Sequence, residues 1–161
     1  MARAFLSIGS NLGDREHHCE VALARLAATP GVRVGKRSPS YRTEPVDGGK
    51  GPEFCNLAVE VETALSPREL LEVLQGIEAG LGRTAGHLQP RPIDLDLLLY
   101  EDVVMHDPDL VIPHPRLEVR RFVLAPLNDI APGLRHPVTR RTVAELLLAL
   151  GEGGGRVRRL S

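Results

Sequence analysis

The stretch from Gln89 to Tyr100, QPRPIDLDLLLY, has the pattern of a buried strand that carries two acids. Its two prolines keep the first residues out of a helix, and we predict a strand that begins near Ile93. Because side chains alternate across a strand, Asp94 and Asp96 should point to one face. The opposite, apolar face should consist of Ile93, Leu95, Leu97 and Leu99.

Three further stretches have the composition and alternation of strands: Arg3–Ile8, Val32–Tyr41 and Phe54–Leu65. In the last of them one face is apolar and the other is mixed. Phe54 and Asn56 both fall on the mixed face. The pattern therefore predicts that these two side chains point the same way.

Apolar residues at helical spacing predict three helices. The first begins near Asp14 and stops before a Thr-Pro-Gly turn. The second begins at Ser66, which is followed by Pro and, three residues on, by Glu, as in a capping box. Its buried stripe should consist of Leu70, Leu74, Ile77 and Leu81. Gln75 and Glu78 should share a different face, and Thr142–Leu150 forms the third, amphipathic helix.

The remaining stretches predict shorter elements. Residues 45–52 are rich in Gly and should form an open loop, and residues 103–104 could form a short strand. His114 lies between two prolines, which make a stiff extended corner. Arg120–Leu127 is a short apolar segment that should end near its proline, and residues 151–161 should form a frayed, flexible tail.

Length and composition indicate a single domain over residues 1–161, with 42% hydrophobic residues to build a core. The net charge is −1, so no bulk positive field favours nucleic acid or an anionic membrane as a partner. Cys19 and Cys55 are too few for a disulfide framework. No apolar run approaches the roughly 20 residues that a membrane span needs. We therefore expect a cytoplasmic protein.

The paired acids Asp94 and Asp96 lie in the stretch with the highest concentration of potentially functional residues in the chain. Two carboxylates in a mostly buried strand repel each other and are costly to desolvate unless cations lie between them. Oxygen ligands select hard cations, so magnesium is the natural candidate for Asp94 and Asp96. Arg91 adds a guanidinium fork that suits phosphate. The alternative is a strand end that emerges into solvent with two surface aspartates.

The loop of residues 82–90 has no apolar periodicity, holds Arg83 and leads directly into the acid strand. A loop in this place can be a mobile cover for bound phosphates. An idle surface loop fits the same pattern, and the sequence alone does not separate the two.

Several blocks in a fixed order resemble one enzyme family. They are FLSIGSNLGD, YRTEPV, PEFCNLAVEVET, QGIEAGLGR, PRPIDLDLLLY and IPHPRLEVRRFVLAPLNDIAP. The chain resembles 6-hydroxymethyl-7,8-dihydropterin pyrophosphokinases, which transfer the terminal pyrophosphate of ATP to the pterin hydroxymethyl group in folate biosynthesis. The resemblance implies an α+β fold with a ferredoxin-like core, in which helices flank an antiparallel-rich central sheet in αβα layers.

The resemblance also implies roles for individual residues and two Mg²⁺ ions held by Asp94 and Asp96. ATP would be bound by Gln75, Arg83, Arg91, Leu97, His114 and Arg120. The pterin would be bound by Thr43, Glu44, Pro45, Val46, Phe54, Asn56 and Phe122, with its ring between the two Phe side chains. The catalytic group would be Arg83, Arg91, Asp94 and Asp96.

Two other classes of function stay open from the residues. A nucleotidyltransferase could use the same paired-aspartate magnesium site, but it would release pyrophosphate rather than AMP. A non-catalytic module that binds a small molecule would need no metal pair. For the pyrophosphokinase we expect small-molecule substrates as the only partners and a monomer.

Overall fold

The structure is a computed structural model, and it describes residues 1–11, 13–43, 53–82, 93–153 and 156–160. Within these ranges the strands are β1 (Ala2–Ser10), β2 (Val32–Arg37), β3 (Tyr41–Thr43), β4 (Phe54–Thr63), β5 (Asp94–Tyr100), β6 (Met105–Asp107), β7 (Leu110–Ile112) and β8 (Val157–Arg159). The α-helices are α1 (Arg15–Ala27), α2 (Pro67–Gly80), α3 (Arg121–Ile130) and α4 (Val143–Leu150), and a 3₁₀ turn spans Leu117–Val119.

One antiparallel sheet organises the molecule. In the described residues it has six strands in the order β5-β1-β4-β3-β8, and β2 pairs with β4 beside β3. The strands β6 and β7 form a separate hairpin. No helix in the described part of the chain combines the length and the apolar character that a membrane span requires.

Helices cover both faces of the sheet and create two cores. On the first face, α1 and α2 contribute Cys19, Leu23, Leu26, Leu70, Leu74 and Ile77 to a core with β1, β4 and β5. On the second face, α3 and α4 contribute Val123, Leu124, Leu127, Val143 and Leu146 to a core with Phe5, Ala58, Leu98 and Leu99. The predicted α+β fold with αβα layers is therefore confirmed.

The predicted helix starts are confirmed by their hydrogen bonds. The Ser66 hydroxyl accepts the Glu69 N–H, and the Glu69 carboxylate accepts the Ser66 N–H, which completes a capping box. Asp14 caps α1 through the His17 N–H. The helix α4 has a second capping box, formed by Thr142 and Glu145.

The strand β5 differs from its predicted alternation at one end. Leu95 and Leu97 face the first core as predicted, but Leu99 packs in the second core beside Leu98. The register between β1 and β5 shifts between Phe5 and Leu6, so two consecutive leucines lie on the same side. The prediction for Leu99 is therefore wrong.

The predicted strand Val32–Tyr41 is two strands, β2 and β3. The break falls at Ser38, whose hydroxyl accepts the Ala58 N–H and donates to the Pro39 carbonyl. A side chain thus replaces a ladder bond just before a proline, which cannot donate one. Both halves still pair with β4.

Two short predicted elements also differ. The segment expected to end near Pro126 is the start of α3, which continues through that proline to Ile130. A proline removes one backbone donor, and this ten-residue helix tolerates the loss while its buried face stays packed. The strand expected at residues 103–104 begins instead at Met105, because the Val103 N–H closes a turn onto the Tyr100 carbonyl.

The tail and Glu78 are the remaining differences. Residues 157–159 form β8 rather than a frayed end, because β3 offers them a strand edge for pairing.

Glu78 is buried while Gln75 is exposed, so the two do not share an outward face. The carboxyl group of Glu78 turns inward and accepts the Leu95 N–H at 3.0 Å.

Stability should vary with pH in part because of His136, a buried residue in the segment that connects α3 to α4. Its Nδ1 accepts the N–H groups of Val138 and Thr139, each at 3.2 Å. Burial lowers the pKa of His136, and the negative charge of Glu118 opposes this in part. The unfolded chain therefore binds the proton more readily, and stability should be lost as the pH falls from about 6.5 through the lower folded pKa.

This expectation is checked by urea unfolding between pH 7.5 and pH 5. The variant His136→Asn keeps an acceptor near Nδ1 and cannot titrate, so it should lose less stability over this range than the wild type. His106→Asn, at an exposed position of β6, is the matched control and should behave like the wild type. An equal loss of stability in His136→Asn and wild type would contradict the expectation.

Candidate active site

The ends of β1, β4 and β5 form the floor of a cavity of about 210 Å³ on the second face of the sheet. We call it the central cavity. It is lined by Ser7, Gly9, Thr43, Phe54, Asn56, Asp94, Asp96, Arg120 and Phe122. Gly9 pairs with Asn56 on one side and with Asp94 on the other. The strand register thus brings the acids and the amide onto one surface.

Gly9 is required at this position because of how closely Asn56 approaches it. A Cβ atom on residue 9 would lie 2.5 Å from Asn56 Oδ1, which is too close for any side chain. Asn56 is buried, and its Nδ2 donates to the Thr43 hydroxyl at 2.7 Å. The amide is therefore held in one orientation, with Oδ1 toward the glycine.

Two aromatic rings and one guanidinium form the sides of the central cavity. Phe54 opens β4, and Phe122 lies in the first turn of α3. The guanidinium of Arg120 lies 5.4 Å from the centroid of the Phe122 ring, in cation–π geometry. The cavity is thus apolar and aromatic at one end and charged near the acids.

Asp94 and Asp96 lie on the second face of β5, as the sequence predicts, and both line the central cavity. Their position follows from the strand period, because Ile93, Leu95 and Leu97 are buried in the opposite core. No group of three or more potential metal ligands converges in the part of the chain that the structure describes.

A second cavity, of about 300 Å³, lies along the outer edge of β5. We call it the β5-edge cavity. Its lining is Leu71, Leu95, Asp96, Leu97, Pro108, Asp109, Leu110, Val111, His114 and Pro115. Among the described residues β5 is the terminal strand of the sheet, and the cavity at its outer edge is bordered by residues of α2 and of the β6–β7 hairpin. Asp96 lines both cavities.

His114 is fixed by hydrogen bonds on two sides. Its backbone N–H donates to the Leu98 carbonyl, and its Nδ1 accepts the Arg116 N–H at 3.2 Å. Nε2 then lies 4.0 Å from Asp96 Oδ1. Burial, and next the charge of Arg120, lowers the pKa of His114, and the negative charge of Asp94 opposes them. The ring is therefore neutral at neutral pH, with its proton on Nε2.

The structure separates the predicted site residues into three groups. Thr43, Phe54, Asn56, Asp94, Asp96, Arg120 and Phe122 meet in the central cavity. Leu97 and His114 line the β5-edge cavity, and Gln75 is exposed on α2 and lines neither cavity. Arg83, Arg91, Glu44, Pro45 and Val46 lie outside the described residues, as do residues 45–52 and 83–90 of the two predicted loops.

Sequence reasoning missed three residues of the site: Ser7, Gly9 and Glu78. A glycine inside a strand pattern often marks a close approach of another group, and this signal could have identified Gly9. Ser7 lies opposite Asp96, which only the register of β1 and β5 determines. Glu78 holds the backbone N–H between the two acids, and its inward turn has no local sequence signal.

Comparison with known proteins now identifies the family. The model of the family described as 7,8-dihydro-6-hydroxymethylpterin-pyrophosphokinase (HPPK) matches residues 5–132. The chain belongs to this family, and the resemblance inferred from the sequence is confirmed.

Curated relatives and a solved structure extend the match. The chain is 45% identical, over 96% of its length and 97% of the relative, to 2-amino-4-hydroxy-6-hydroxymethyldihydropteridine pyrophosphokinase of Methylorubrum extorquens. The enzyme of the same name from Bacillus subtilis is 43% identical over 84% of this chain and 82% of the relative. Plasmodium falciparum HPPK-DHPS with pteroate superposes with a TM-score of 0.74 at 19% identity. That match covers 92% of this chain and 42% of the longer Plasmodium chain, and it supports the fold.

Adding a methyl group at Gly9 should displace Asn56 at the floor of the central cavity. In Gly9→Ala the new Cβ forces Asn56 away from its position, and overpacking of this kind costs about 1 to 3 kcal/mol. Thermal and urea unfolding should show the loss, and pyrophosphokinase activity should fall with it. Gly76→Ala is the matched control, since nothing lies within 4 Å of that position on α2. Unchanged stability and activity in Gly9→Ala would show that Asn56 relaxes freely.

Proposed function

We propose that this chain transfers the pyrophosphoryl group of ATP to the hydroxymethyl group of 6-hydroxymethyl-7,8-dihydropterin and releases AMP. The pterin occupies the central cavity, and the adenosine part of ATP occupies the β5-edge cavity. The observation that carries this assignment is that Asp96 lines both cavities. Phosphates bound at Asp96 would therefore join a nucleotide on one side of β5 to an acceptor on the other.

The central cavity suits a flat, polar-edged ring. Phe54 and Phe122 offer aromatic surfaces to the two faces of the ring. The Asn56 amide uses Nδ2 on Thr43, which leaves Oδ1 to accept an N–H from the edge of the ring. A buried amide of this kind rejects rings that lack the matching polar atom, because its own hydrogen bond would be left unmade.

The β5-edge cavity suits the base of a nucleotide. Leu71, Leu95, Leu97 and Val111 give it apolar walls, and the outer edge of β5 provides backbone groups for hydrogen bonds. His114 marks the end of this cavity nearest the acids, where phosphates would begin. Arg120 lies on the central-cavity side and would neutralise the same phosphates from there. Gln75 stays a predicted ATP contact at the exposed surface of α2.

The donor set of Asp94 and Asp96 fits magnesium. Two carboxylates on one strand face, beside a guanidinium and an open cavity, match the usual site in which ATP oxygens and water supply the other ligands. Two Mg²⁺ ions bound there would neutralise charge on the triphosphate and polarise the transferred group. The metal requirement and the number of ions are proposals from these residues.

In the transfer step the pterin hydroxyl oxygen forms a bond to the β-phosphorus of ATP. The bond from that phosphorus to the oxygen bridging the α-phosphate breaks in line, AMP leaves with that oxygen, and the hydroxyl proton is released to water. Phe54, Phe122 and Asn56 hold the hydroxymethyl group toward Asp94 and Asp96. Neutral His114 donates its Nε2 proton as a hydrogen bond to a phosphate oxygen. Arg120 stabilises the charge that spreads over the phosphoryl oxygens, and Arg83 and Arg91 are further predicted donors.

Three further assignments stay with this proposal. The chain acts as a monomer and as a single domain over residues 1–161. A cytoplasmic location agrees with Cys19 and Cys55, both free thiols in the structure.

The proposal is tested first by product identity. Incubation with ATP, Mg²⁺ and the dihydropterin should yield AMP and the pterin diphosphate in equal amounts. Release of pyrophosphate instead would favour a nucleotidyltransferase. Binding of the pterin without turnover would favour a non-catalytic module.

Loss of either acid should abolish most turnover while the fold persists. Asp94→Asn and Asp96→Asn keep the side-chain shape but remove a ligand charge, so AMP release should fall by at least about 100-fold, or roughly 2.7 kcal/mol. Asp102→Asn, an exposed aspartate just after β5, is the matched control and should retain activity. Near-normal turnover in either folded variant would show that this pair is not the metal site.

Removal of either aromatic wall should weaken pterin binding selectively. Stacking contributes about 0.5 to 1.5 kcal/mol per pair, so Phe54→Ala or Phe122→Ala should weaken pterin binding by up to about tenfold. Titration calorimetry should show a much smaller change for ATP. Leu148→Ala removes an apolar side chain that is 82% exposed and should change neither affinity. Equal losses for pterin and ATP would remove the two Phe side chains from the pterin site.

A further inference from the structure

The last strand, β8, lies beyond the family match, which ends at residue 132, yet it borders the wall of the central cavity. Its residues pair with β3 in antiparallel register: Tyr41 with Arg159, Arg42 with Arg158 and Thr43 with Val157. Thr43 lines the central cavity and holds Asn56. The tail is therefore one strand away from a residue of the proposed pterin site.

Arg159 joins β8 to both β3 and α3. Its Nη2 lies 2.6 Å from Asp129 Oδ1, and its Nε donates to the Tyr41 hydroxyl at 3.2 Å. The Tyr41 hydroxyl in turn donates to Asp129 Oδ2, which closes a triangle of three side chains. Burial, and next the hydrogen bond with Asp129, raises the pKa of Tyr41, so the phenol keeps its proton at neutral pH.

Each partner of Arg159 shares an element with a residue of the central cavity. On β3, Tyr41 lies two residues before Thr43, so both side chains point to the same face. On α3, Asp129 lies seven residues after Phe122. Seven residues make almost two full turns, so the two side chains point in directions about 20° apart around the helix axis. The triangle therefore fixes the side of α3 that carries Phe122 to the side of β3 that carries Thr43.

We propose that Arg159 is a positioning residue for the pterin site. It acts through Asp129 and Tyr41 and sets the separation of α3 from β3, and thereby the gap between Phe122 and the Thr43–Asn56 pair. This inference rests on the proposed function, and Arg159 itself does not touch the substrate. Through Arg159 alone the C-terminal strand is then linked to the pterin site, although no residue of β8 lines the central cavity.

The test compares steady-state kinetics of Arg159→Ala, Arg159→Lys and Arg158→Ala with the wild type, with AMP release as the readout. Arg159→Ala should raise the KM for the dihydropterin by about fivefold, the range of a partly exposed ion pair with an added hydrogen bond. The KM for ATP and kcat should stay within about twofold of the wild-type values. The β5-edge cavity lies at the other edge of the sheet from β8, with β1, β4 and β3 between them. A purely structural role would instead lower the melting temperature and the active fraction without a selective change in the pterin KM.

Two comparisons sharpen the result. Arg159→Lys keeps the charge beside Asp129 and should recover most of the pterin affinity. Arg158→Ala removes one positive charge from the same strand but leaves the three side chains of the triangle unchanged, so it should match the wild type. The double variant Asp129→Asn/Arg159→Ala should bind the pterin no more weakly than the worse single variant, since the two act through one contact.

The outcomes separate this inference from the function on which it rests. A wild-type protein that releases no AMP overturns both. Normal wild-type turnover with a pterin KM in Arg159→Ala within about twofold of wild type overturns the positioning role alone. So does an equal rise in the KM of both substrates, or a rise of the same size in Arg158→Ala.

Discussion

The pairing of β1 with both β4 and β5 is the constraint on which the site depends. Gly9 lies between Asn56 and Asp94 in the register, and Ser7 lies opposite Asp96. The centre of the cavity floor is therefore made of a glycine and a serine, and their small size leaves room above β1 for a ligand. The Cβ atom of a larger residue at position 9 would lie 2.5 Å from Asn56 Oδ1. The shape of the cavity floor and the orientation of the Asn56 amide therefore both depend on the glycine at this position.

Local signals allowed much of the fold and part of the site to be predicted from the sequence. The alternation of β5 correctly placed Asp94 and Asp96 on one face, and that of β4 did the same for Phe54 and Asn56. The start of α2 at Ser66 followed from a capping box, whose members are three residues apart. Such features depend on neighbours in the chain, which is why periodicity and spacing are enough to find them.

What could not be predicted depends on partners that are distant in sequence. The side on which Leu99 lies is set by a register shift against β1, and the inward-turned carboxylate of Glu78 accepts the Leu95 N–H of β5, 17 residues further along the chain. The Gly-rich, basic tail has the composition of a frayed end, but an available edge on β3 orders residues 157–159. The division of the site into two cavities likewise depends on β5 being the edge of the sheet, a property of the complete topology.

The long reach of the Arg159 contacts has a consequence for the order of folding. Arg159 and Tyr41 are 118 residues apart in the chain, whereas the core strands β1 and β4 are bridged by α1 and two short strands. Contacts between distant residues require closure of a large loop, and they form after local structure has made that closure less costly. We therefore expect the triangle around Asp129 to form late and to open first in partial unfolding. Amide hydrogen exchange in β3 and β8 should then be faster than in β1, so that the side of the central cavity next to Thr43 opens more readily than its floor.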